Sequence, residues 1–434
     1  MKIFLPVALA LSTALFGDAS DARFQLPSIE AEANLPGEGA LRRYDGYLKG
    51  WPNRRSAFAE RAEQDRNAVV FLGDSITQAW GFDFRSLFPD AKLANRGISG
   101  DTTRGMLIRL EEDVLALDPQ AIVLLMGTND IGEGTDPEAI GRNFGRIIER
   151  IKAHSPSIPI VVCRVFPSSP EKKRPSETIQ ALNEIYEDVV RGDPQITVLD
   201  TWTLFANESG DAHPQWFPDL LHLNEDGYRR WANALKPIFA SIGVSETEPD
   251  DFAVESGFRS LFNGTDLTGW GVKETQPKRP PRKGFVWVGH ESDIAYDGMA
   301  YSHDGRYAAI NGRLVVLTPS EGRRIQQLWT TEEFGGDFVL RLDFRATPNA
   351  DSGVFLRGKQ FQVRDYALAG PYKDLESYRP QEWNSMEFSV KGTKATVSCN
   401  GQVIVDDFEI PESGPIGLEG DRGQIEYRRI RIGL

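Results

Sequence analysis

The sequence predicts two domains, an α/β domain with a parallel sheet followed by an all-β sandwich. The chain has 434 residues, more than an ordinary single domain contains. Between residues 69 and 241, short apolar runs alternate with helical patterns, which is typical of a parallel sheet covered by helices on both sides. Beyond residue 256, apolar residues recur at every second position, which is typical of strands with one buried face.

The predicted strands of the first domain are continuous apolar runs, as expected of strands that are buried on both faces. The runs are AVVF at 68–71, AKLAN at 91–95, AIVLLM at 121–126, IVVCRV at 160–165 and ITVL at 196–199, and the second of them is the weakest. Sites in parallel sheets form at the carboxyl ends of the strands. The residues that follow each run are therefore candidate site residues.

The segments between these runs carry apolar stripes at helical spacing. In DPEAIGRNFGRIIERIKAH, we predict that Asp136 caps a helix whose first residue is Pro137. Similar stripes occur in SETIQALNEIYEDVV and in NEDGYRRWANALKPIF. Strands that alternate with such helices predict a doubly wound sheet in the first domain.

The second half of the chain has a different pattern. Residues 244–255, VSETEPDDFAVE, are acidic and have neither a helical stripe nor clear alternation, so we predict a linker there. Alternation follows in FVLRLDFR and MEFSV, and ATVSCNGQVIV contains two alternating runs joined by Asn400-Gly401, a strong hairpin signal. We therefore predict domains at 23–243 and 256–434.

The N-terminal stretch MKIFLPVALALSTALFGDASDA, residues 1–22, has the pattern of a secretory signal peptide. The alternative is a membrane anchor, but the apolar run ends at Phe16 and is shorter than the roughly 20 residues that span a bilayer. We therefore expect no membrane span and an exported protein, either periplasmic or extracellular.

The net charge of −14 argues against nucleic acid or an anionic membrane as a partner, because an acidic surface repels both. The basic island KRPPRK at 278–283 interrupts this charge, and its prolines indicate a solvated loop. The sequence does not indicate an oligomeric state.

Polar residues after the predicted strands could form the site of a serine esterase. Ser75 follows the first strong strand, His222 could take its proton, and Asp219 could fix the tautomer of His222. Gly100 and Asn129 follow two other strands and offer N–H donors for an oxyanion.

Each of these residues also has a simpler interpretation. Ser75 could cap a helix that starts at Ile76, and Asn129 could be an ordinary turn residue. Asp219 and His222 could be a surface pair or two metal ligands, but a metal would need more ligands. We therefore expect neither a metal nor a cofactor.

Four motifs carry a resemblance over residues 67–241. They are GDS at 73–75, NRGISGD at 95–101, GTND at 127–130 and DLLH at 219–222. In this order they resemble the SGNH (GDSL-type) hydrolase superfamily, in the branch related to platelet-activating-factor acetylhydrolase subunits. The resemblance implies a flavodoxin-like three-layer α/β/α fold and metal-free ester hydrolysis through an acyl-enzyme.

The resemblance also implies a role for each matched residue. Ser75 is the nucleophile, His222 the base, and Asp219 the residue that orients the base. The N–H groups of Ser75 and Gly100, together with the side chain of Asn129, form the oxyanion hole. The alternative is a degenerate relative without catalytic activity.

The segments GFRSLFNGTDLTGW, NADSGVFLRG, EWNSMEFSVKG and GPIGLEGDRGQIEYRRIRI together resemble the 3-keto-disaccharide hydrolase domain family. That resemblance implies a concanavalin-like jelly roll that acts on or binds oxidised sugars. In KQFQVRDY at 359–366, Gln360 stands where the family pattern has an acid, whereas Gln362, Asp365 and the preceding Arg357 match it. The resemblance thus makes these four residues a candidate sugar site. Because an amide cannot take up a proton as a carboxylate does, a sugar-binding role survives this substitution better than a hydrolytic one.

Together the two halves indicate a secreted serine esterase that removes O-acetyl or other short acyl groups from a carbohydrate, or acts on another small ester. No long apolar stretch outside the predicted core suggests the lid of a long-chain lipase. Two alternatives remain open. One is a glycan-binding or keto-glycoside hydrolase protein whose C-terminal domain is the active part, and the other is a lipid or arylester hydrolase.

Overall fold

The structure is a computed structural model, and it describes residues 21–39, 41–81, 83–276, 285–318 and 322–434. The predicted signal peptide, except its last two residues, and the basic island at 278–283 lie outside the described residues. No helix within the described ranges combines the length and the apolar content that a bilayer span requires.

The first domain is built on a parallel sheet whose strands match the five predicted apolar runs. The strands are β1 (Val69–Gly73), β2 (Leu93–Gly97), β3 (Ala121–Leu125), β4 (Ile160–Cys163) and β5 (Ile196–Leu199). Their order is β2-β1-β3-β4-β5, and every neighbouring pair is parallel. This is the flavodoxin-like order of a doubly wound sheet, so the predicted fold class is confirmed.

Helices cover both faces of this sheet. They are α1 (Ile29–Glu32), α2 (Asp45–Glu60), α3 (Ala62–Asp65), α4 (Ser75–Ala79), α5 (Thr103–Asp113), α6 (Thr128–Gly132), α7 (Pro137–His154), α8 (Ser176–Val189), α9 (Thr201–Phe205) and α10 (Glu225–Ser241). Asp136 caps α7 as predicted, because its side chain accepts a hydrogen bond from the N–H of Glu138 at 2.9 Å. The amphipathic stripes of α7, α8 and α10 therefore begin and end close to where the sequence predicts.

The alternating residues of each strand enter two different cores. Val70 and Leu72 of β1 pack into the layer beneath α5, α7 and α8, whereas Val69 and Phe71 pack into the layer that contains Trp231 of α10. Since both faces of the strand are buried, neither face can be polar. This explains why the strands appear in the sequence as continuous apolar runs.

The second domain is a sandwich of two sheets. Its strands are β6 (Arg259–Ser260), β7 (Trp270–Val272), β8 (Phe285–Trp287), β9 (Ile294–Ala295), β10 (Tyr307–Ile310), β11 (Arg313–Val316), β12 (Arg323–Gly335), β13 (Phe338–Ala346), β14 (Gly353–Leu356), β15 (Lys359–Gln362), β16 (Asn384–Lys391), β17 (Lys394–Cys399), β18 (Gln402–Glu409), β19 (Ser413–Gly420) and β20 (Ile425–Gly433), with a short helix α11 (Tyr366–Ala369). One sheet has the order β10-β11-β20-β13-β16-β17-β18, with β6 beside β20. The other has the order β15-β14-β19-β12-β7-β9, with β8 beside β12. The pairs are antiparallel except for β8 with β12, in agreement with the predicted sandwich.

The predicted hairpin at Asn400-Gly401 joins β17 to β18. Asn400 has φ 48° and Gly401 has φ 83°, which are the two positive values that a type I′ turn requires. On β13, the side chains of Phe338, Leu340 and Leu342 are buried in the sandwich core, as the alternation predicts.

The acidic segment 244–255 contains neither a helix nor a strand, but three of its carboxylates form ion pairs with the sandwich. Glu246 lies 2.8 Å from Arg345, Asp250 lies 2.6 Å from Arg429, and Glu255 lies 2.7 Å from Arg431. The segment predicted as a linker is therefore held along the β-sandwich by ion pairs.

Candidate active site

The turn after β1 places Ser75 at the carboxyl edge of the parallel sheet. Asp74 is the N-cap of α4, and its side chain accepts a hydrogen bond from the N–H of Ile76 at 2.9 Å. Ser75 is the first helical residue, so the capping role that Ser75 could have had belongs to Asp74. The Ser75 hydroxyl is left to make another contact.

That contact is with His222, and the structure brings all three predicted triad residues together. Ser75 Oγ lies 3.0 Å from His222 Nε2, and His222 Nδ1 lies 2.8 Å from Asp219 Oδ2. The other carboxylate oxygen of Asp219 accepts hydrogen bonds from the backbone N–H groups of His222 at 2.7 Å and Leu221 at 3.1 Å. Asp219 therefore holds both the backbone and the ring of His222.

The charge of Asp219 determines what the pair can do. Burial raises the pKa of Asp219, but hydrogen bonds from the backbone and ring of His222 and from the Leu221 N–H outweigh burial and lower the pKa to about 2. Asp219 is thus a carboxylate at neutral pH, and a carboxylate accepts hydrogen bonds only. It favours the tautomer in which His222 Nδ1 carries the proton and Nε2 faces Ser75 with its lone pair.

The predicted oxyanion donors follow β1, β2 and β3, which are adjacent in the sheet. Gly100 lies in the loop after β2 with φ 84°, a conformation that favours glycine. A Cβ atom at Gly100 would lie 2.5 Å from the hydroxyl oxygen of Tyr44, so a side chain has no room there. The N–H of Gly100 is therefore presented in a loop that only glycine fits.

Asn129 lies in the first turn of α6, directly after β3. Its Nδ2 donates to the carbonyl of Asp101 at 2.9 Å, which uses one of the two amide hydrogens. Its Oδ1 accepts a hydrogen bond from Arg174 at 3.3 Å. With both ends of the amide held, the second hydrogen has no acceptor among the described residues and is left for a ligand.

Two buried arginines support these loops, and the sequence analysis did not identify either of them. Arg174 donates from Nε to the backbone carbonyl of Thr128 at 2.7 Å, in addition to its contact with Asn129. Its sequence context, EKKRPS, is that of a surface loop and carries no signal of burial.

The second arginine, Arg109, forms a fully buried ion pair with Asp101 at 2.8 Å. It also donates to the carbonyl of Gly73 at 3.2 Å, and Asp101 accepts from the hydroxyl of Tyr47 at 2.9 Å. This network links the end of β1 to the loop that contains Gly100. An arginine within the apolar stripe of α5 is a sequence signal that could have identified it.

The four residues predicted as a sugar site in the second domain do not form one site. Gln360 and Gln362 lie on β15 on the face opposite the sandwich core, and Gln360 Nε2 donates to the carboxylate of Glu419. Arg357 is buried and donates to the carbonyls of Phe334, Gly392, Pro411 and Gly336.

Asp365 is also buried, in a network of its own. It accepts from the N–H of Asn349 at 2.9 Å and from the hydroxyl of Tyr378 at 3.1 Å. Burial raises the pKa of Asp365 to about 6. Arg357 and Asp365 therefore bind the interior of the domain, whereas Glu419, which the sequence analysis did not select, lies against Gln360.

Comparison with known families agrees with both predicted resemblances. The model of the GDSL-like lipase/acylhydrolase family matches residues 71–230, and that of the 3-keto-alpha-glucoside-1,2-lyase-like domain matches residues 257–433. Platelet-activating factor acetylhydrolase IB subunit alpha2 of Homo sapiens is 30% identical over 200 residues, which cover 44% of this chain and 83% of that protein. Subunit alpha1 of Bos taurus is 28% identical over 199 residues, with coverage of 44% and 83%.

Solved structures resemble the chain over similar shares. A GDSL-like lipase from Bacteroides thetaiotaomicron is 24% identical, with a TM-score of 0.39 and coverage of 43% of this chain and 97% of that one. An acetyl xylan esterase is 23% identical, with a TM-score of 0.34 and coverage of 39% and 98%. The family matches are the stronger finding: the chain belongs to the GDSL-like lipase/acylhydrolase (SGNH) family through its first domain, which is joined to a 3-keto-alpha-glucoside-1,2-lyase-like domain.

Proposed function

We propose that the protein is an exported serine esterase that removes acetyl or other short acyl groups from a carbohydrate, with Ser75 as the nucleophile. The observation that carries the proposal is the hydrogen-bonded series Ser75–His222–Asp219, with contacts of 3.0 and 2.8 Å. Membership of a hydrolase family supports the reaction class. Export is supported by the apolar run and small residues of the stretch at 1–22.

The reaction begins with proton transfer from the Ser75 hydroxyl to His222 Nε2 as Ser75 Oγ attacks the ester carbonyl carbon. The carbonyl oxygen becomes an oxyanion, which the N–H groups of Ser75 and Gly100 and the Nδ2 of Asn129 stabilise. His222 then gives its proton to the leaving alcohol as the bond between carbon and that oxygen breaks. An acyl-enzyme on Ser75 remains.

Hydrolysis of the acyl-enzyme completes the cycle by analogous steps, in which water is the attacking group and Ser75 the leaving group. His222 takes a proton from the water molecule as it attacks the acyl-enzyme, and it returns that proton to Ser75 Oγ when the acid leaves. Throughout, Asp219 stabilises the imidazolium form of His222 by its charge. No oxidant, reductant or other reactant is needed.

The surroundings of Gly100 support a short acyl group. The Tyr44 hydroxyl lies beside Gly100, and the guanidinium of Arg42 lies 6.0 Å from the centre of the Tyr44 ring. In the part of the chain that the structure describes, the exposed large apolar side chains are distributed over both domains. They are Ile29, Tyr44, Leu48, Val189, Val254, Val286, Tyr301, Val403 and Leu434. The relatives of the first domain are named acetylhydrolases, which supports an acetyl group as the acyl group.

The position of the second domain supports a carbohydrate as the acyl acceptor. Asn349 of the sandwich donates to Asp200 at 2.9 Å, and Asp200 directly follows β5. The sandwich therefore contacts the same carboxyl edge of the parallel sheet at which Ser75 lies. A sugar-associated domain at that edge is suitably placed to hold an acylated glycan.

The test is labelling with a fluorophosphonate probe, followed by acetate release from a panel of acetylated polysaccharides. We expect the wild-type protein to be labelled and to release acetate, and Ser75→Ala to do neither. Ser209→Ala, an exposed serine outside the site, is the matched control and should behave as wild type. Equal labelling of wild type and Ser75→Ala would overturn the assignment of the nucleophile.

A series of p-nitrophenyl esters from acetate to laurate tests the acyl group. We expect the largest kcat/KM for acetate or propionate. A maximum at octanoate or longer would favour the lipid hydrolase instead.

A second candidate function concerns the sandwich domain alone. The description of its family model, 3-keto-alpha-glucoside-1,2-lyase-like, suggests cleavage of a keto-glycoside. The observation that favours this function is a buried carboxyl group, Glu419, in contact with Gln360.

A further inference from the structure

The outer face of the sheet that contains β15, β14, β19 and β12 carries a group of residues that the esterase reaction does not use. We call it the Glu419 face, and its members are Gln327, Trp329, Phe355, Gln360 and Glu419. Leu418 points into the sandwich core, so Glu419 points to the opposite face. In the strand register Glu419 is paired with Gln327 on β12. The face therefore combines a carboxyl, two amides and two aromatic rings.

Two glycines leave room for the side chains of Trp329 and Gln360 on this face. A Cβ atom at Gly417 would lie 2.5 Å from the Trp329 ring, and one at Gly353 would lie 2.5 Å from Nε2 of Gln360. The indole of Trp329 thus lies over Gly417, with its ring centre 4.9 Å from that of Phe355. Phe355 is buried, whereas the Trp329 ring is half-buried and offers a stacking surface for the apolar side of a sugar ring.

Within the described ranges, Glu419 differs from the acids around it because it forms no ion pair with an arginine or a lysine. Asp421 is paired with Arg323, and Asp351 lies 2.9 Å from Arg364. Among the described residues, the partners of Glu419 are instead the amides of Gln360 and Gln327. Burial, together with the charges of Asp421 and Asp351, raises the pKa of Glu419 to about 7. A carboxyl group with this pKa can both take and give a proton near neutral pH.

A hydrogen-bond acceptor for a ligand is also present on β15. Among the described residues, Oε1 of Gln362 is buried and has no hydrogen-bond partner. Gln362 is two positions after Gln360, so both side chains emerge on the same face of the strand. A sugar hydroxyl is a suitable donor for this oxygen.

We propose that Glu419 is the catalytic carboxyl of a second active site on this face, and that it transfers the proton that the amide of Gln360 cannot transfer. The proposal rests on the second candidate function, cleavage of a keto-glycoside by the sandwich domain. Gln360 would then be a positioning residue, since its Nε2 donates to the carboxylate and fixes its orientation. The acid that is missing at position 360 is supplied by β19, which is separated from β15 only by β14 in the same sheet.

The step balances without any further reactant. The Glu419 carboxylate takes the proton from the sugar carbon between the ketone and the anomeric carbon. The electron pair of that C–H bond forms a double bond to the anomeric carbon, and the bond from the anomeric carbon to the leaving oxygen breaks. The leaving oxygen keeps the bonding pair and receives the proton from Glu419, so an alcohol and an unsaturated ketone result.

The experiment uses the full chain and p-nitrophenyl 3-keto-glucopyranoside, as both anomers, with release of p-nitrophenol as the readout. We expect the wild type to release p-nitrophenol and Glu419→Gln to lose about 100-fold or more in kcat, a typical contribution of general acid–base catalysis. The double exchange Q360E/E419Q returns a carboxyl to the same contact and should recover activity to within about tenfold of wild type. Glu412→Gln, an exposed residue just before β19, is the matched control.

Fluorophosphonate labelling of Ser75 and the thermal unfolding midpoint are measured on every variant, so that loss of fold is separated from loss of proton transfer. If the wild type and Glu419→Gln cleave the substrate equally, the role of Glu419 is refuted while cleavage by this domain stands. If the wild type releases no p-nitrophenol from either anomer, the second candidate function and this proposal both fail. Neither result depends on the esterase activity of the first domain.

Discussion

Replacement of Asp219 by Asn tests how the triad works, because it keeps the size of the side chain while replacing one carboxylate oxygen by an NH2 group and removing the charge. In the wild type, one carboxylate oxygen of Asp219 holds the N–H groups of Leu221 and His222, and the other faces His222 Nδ1 at 2.8 Å. The amide oxygen of Asn can keep the two backbone hydrogen bonds. Its NH2 group then faces Nδ1, which must act as an acceptor.

The consequence is a reversal of the His222 tautomer. With Nδ1 as acceptor, the ring proton lies on Nε2 and points at Ser75 Oγ, 3.0 Å away. The ring can then no longer take the serine proton. In serine enzymes this substitution lowers kcat by about 10⁴, equivalent to about 5 kcal/mol of transition-state stabilisation. We expect a loss of this size in Asp219→Asn.

The assay is hydrolysis of p-nitrophenyl acetate, with kcat and KM determined separately and the thermal unfolding midpoint as a check on the fold. The matched control is Asp226→Asn, an exposed carboxylate that is paired with Arg229 at 2.9 Å and lies outside the site. We expect the control to stay within twofold of wild type. A kcat for Asp219→Asn within tenfold of wild type would refute the argument that Asp219 selects the tautomer.

Three further predictions follow from the loops around the site. Gly100→Ala should lower the esterase kcat by about 10- to 100-fold, because the added Cβ would collide with the Tyr44 hydroxyl. Adding Tyr44→Phe removes that hydroxyl and should recover part of the loss. No recovery would mean that the defect comes from backbone strain alone. Arg174→Lys should lower kcat about tenfold and leave KM little changed, because a lysine cannot hydrogen-bond to both Asn129 and the carbonyl of Thr128 as the guanidinium does. A change in KM alone would contradict a positioning role for Arg174. Burial raises the pKa of Asp130 to about 7, so Asp130 binds its proton more tightly in the folded protein than in the unfolded chain. The free energy of unfolding should therefore fall as the pH rises from about 4 to 7. Asp130→Asn should reduce that fall in urea titrations at several pH values, and an unchanged pH dependence would contradict it.

The sequence predicts the first domain well because its signals are local. The strands are continuous apolar runs, and Ser75, Gly100 and Asn129 lie in the loops or turns that follow β1, β2 and β3, so order along the chain is enough to place these three residues at one edge. The helix α2 was not predicted, because DGYLKGWPNRRSAFAE has little apolar periodicity. It is held instead by contacts such as that of Tyr47 with Asp101, which only the folded chain brings together.

The second domain shows what local signals leave out. Alternation predicts its strands and its hairpin at Asn400-Gly401, but it does not give the register between distant strands. Gln360 and Glu419 are 59 positions apart in the sequence. They come into contact because their strands, β15 and β19, are separated in the sheet by only one strand, β14. For the same reason, Arg357 and Asp365 are close to Gln360 along the chain but lie in separate buried networks.

The helix α10 connects the esterase site to the sandwich. It begins at Glu225, three residues after His222, and Asn224 caps it by accepting a hydrogen bond from the N–H of Gly227 at 2.9 Å. At its other end, Arg313 of the sandwich donates to the carbonyl of Ala240 at 3.2 Å, one of the last four carbonyls that a helix leaves without an internal partner. A cation at a helix C-terminus is also favoured by the helix dipole.

Separating the two domains would therefore remove the hydrogen bond from Arg313 to the C-terminal end of the helix whose first turn follows His222. It would also leave Gln424 without the carbonyl of Pro237, to which it donates at 2.9 Å in a buried contact. Loss of activity in an isolated domain would then not show whether ester hydrolysis depends on Ser75 or keto-glycoside cleavage on Glu419. Single substitutions in the full chain, such as Ser75→Ala and Glu419→Gln, keep this interface and separate the two reactions, because each should abolish one activity and leave the other.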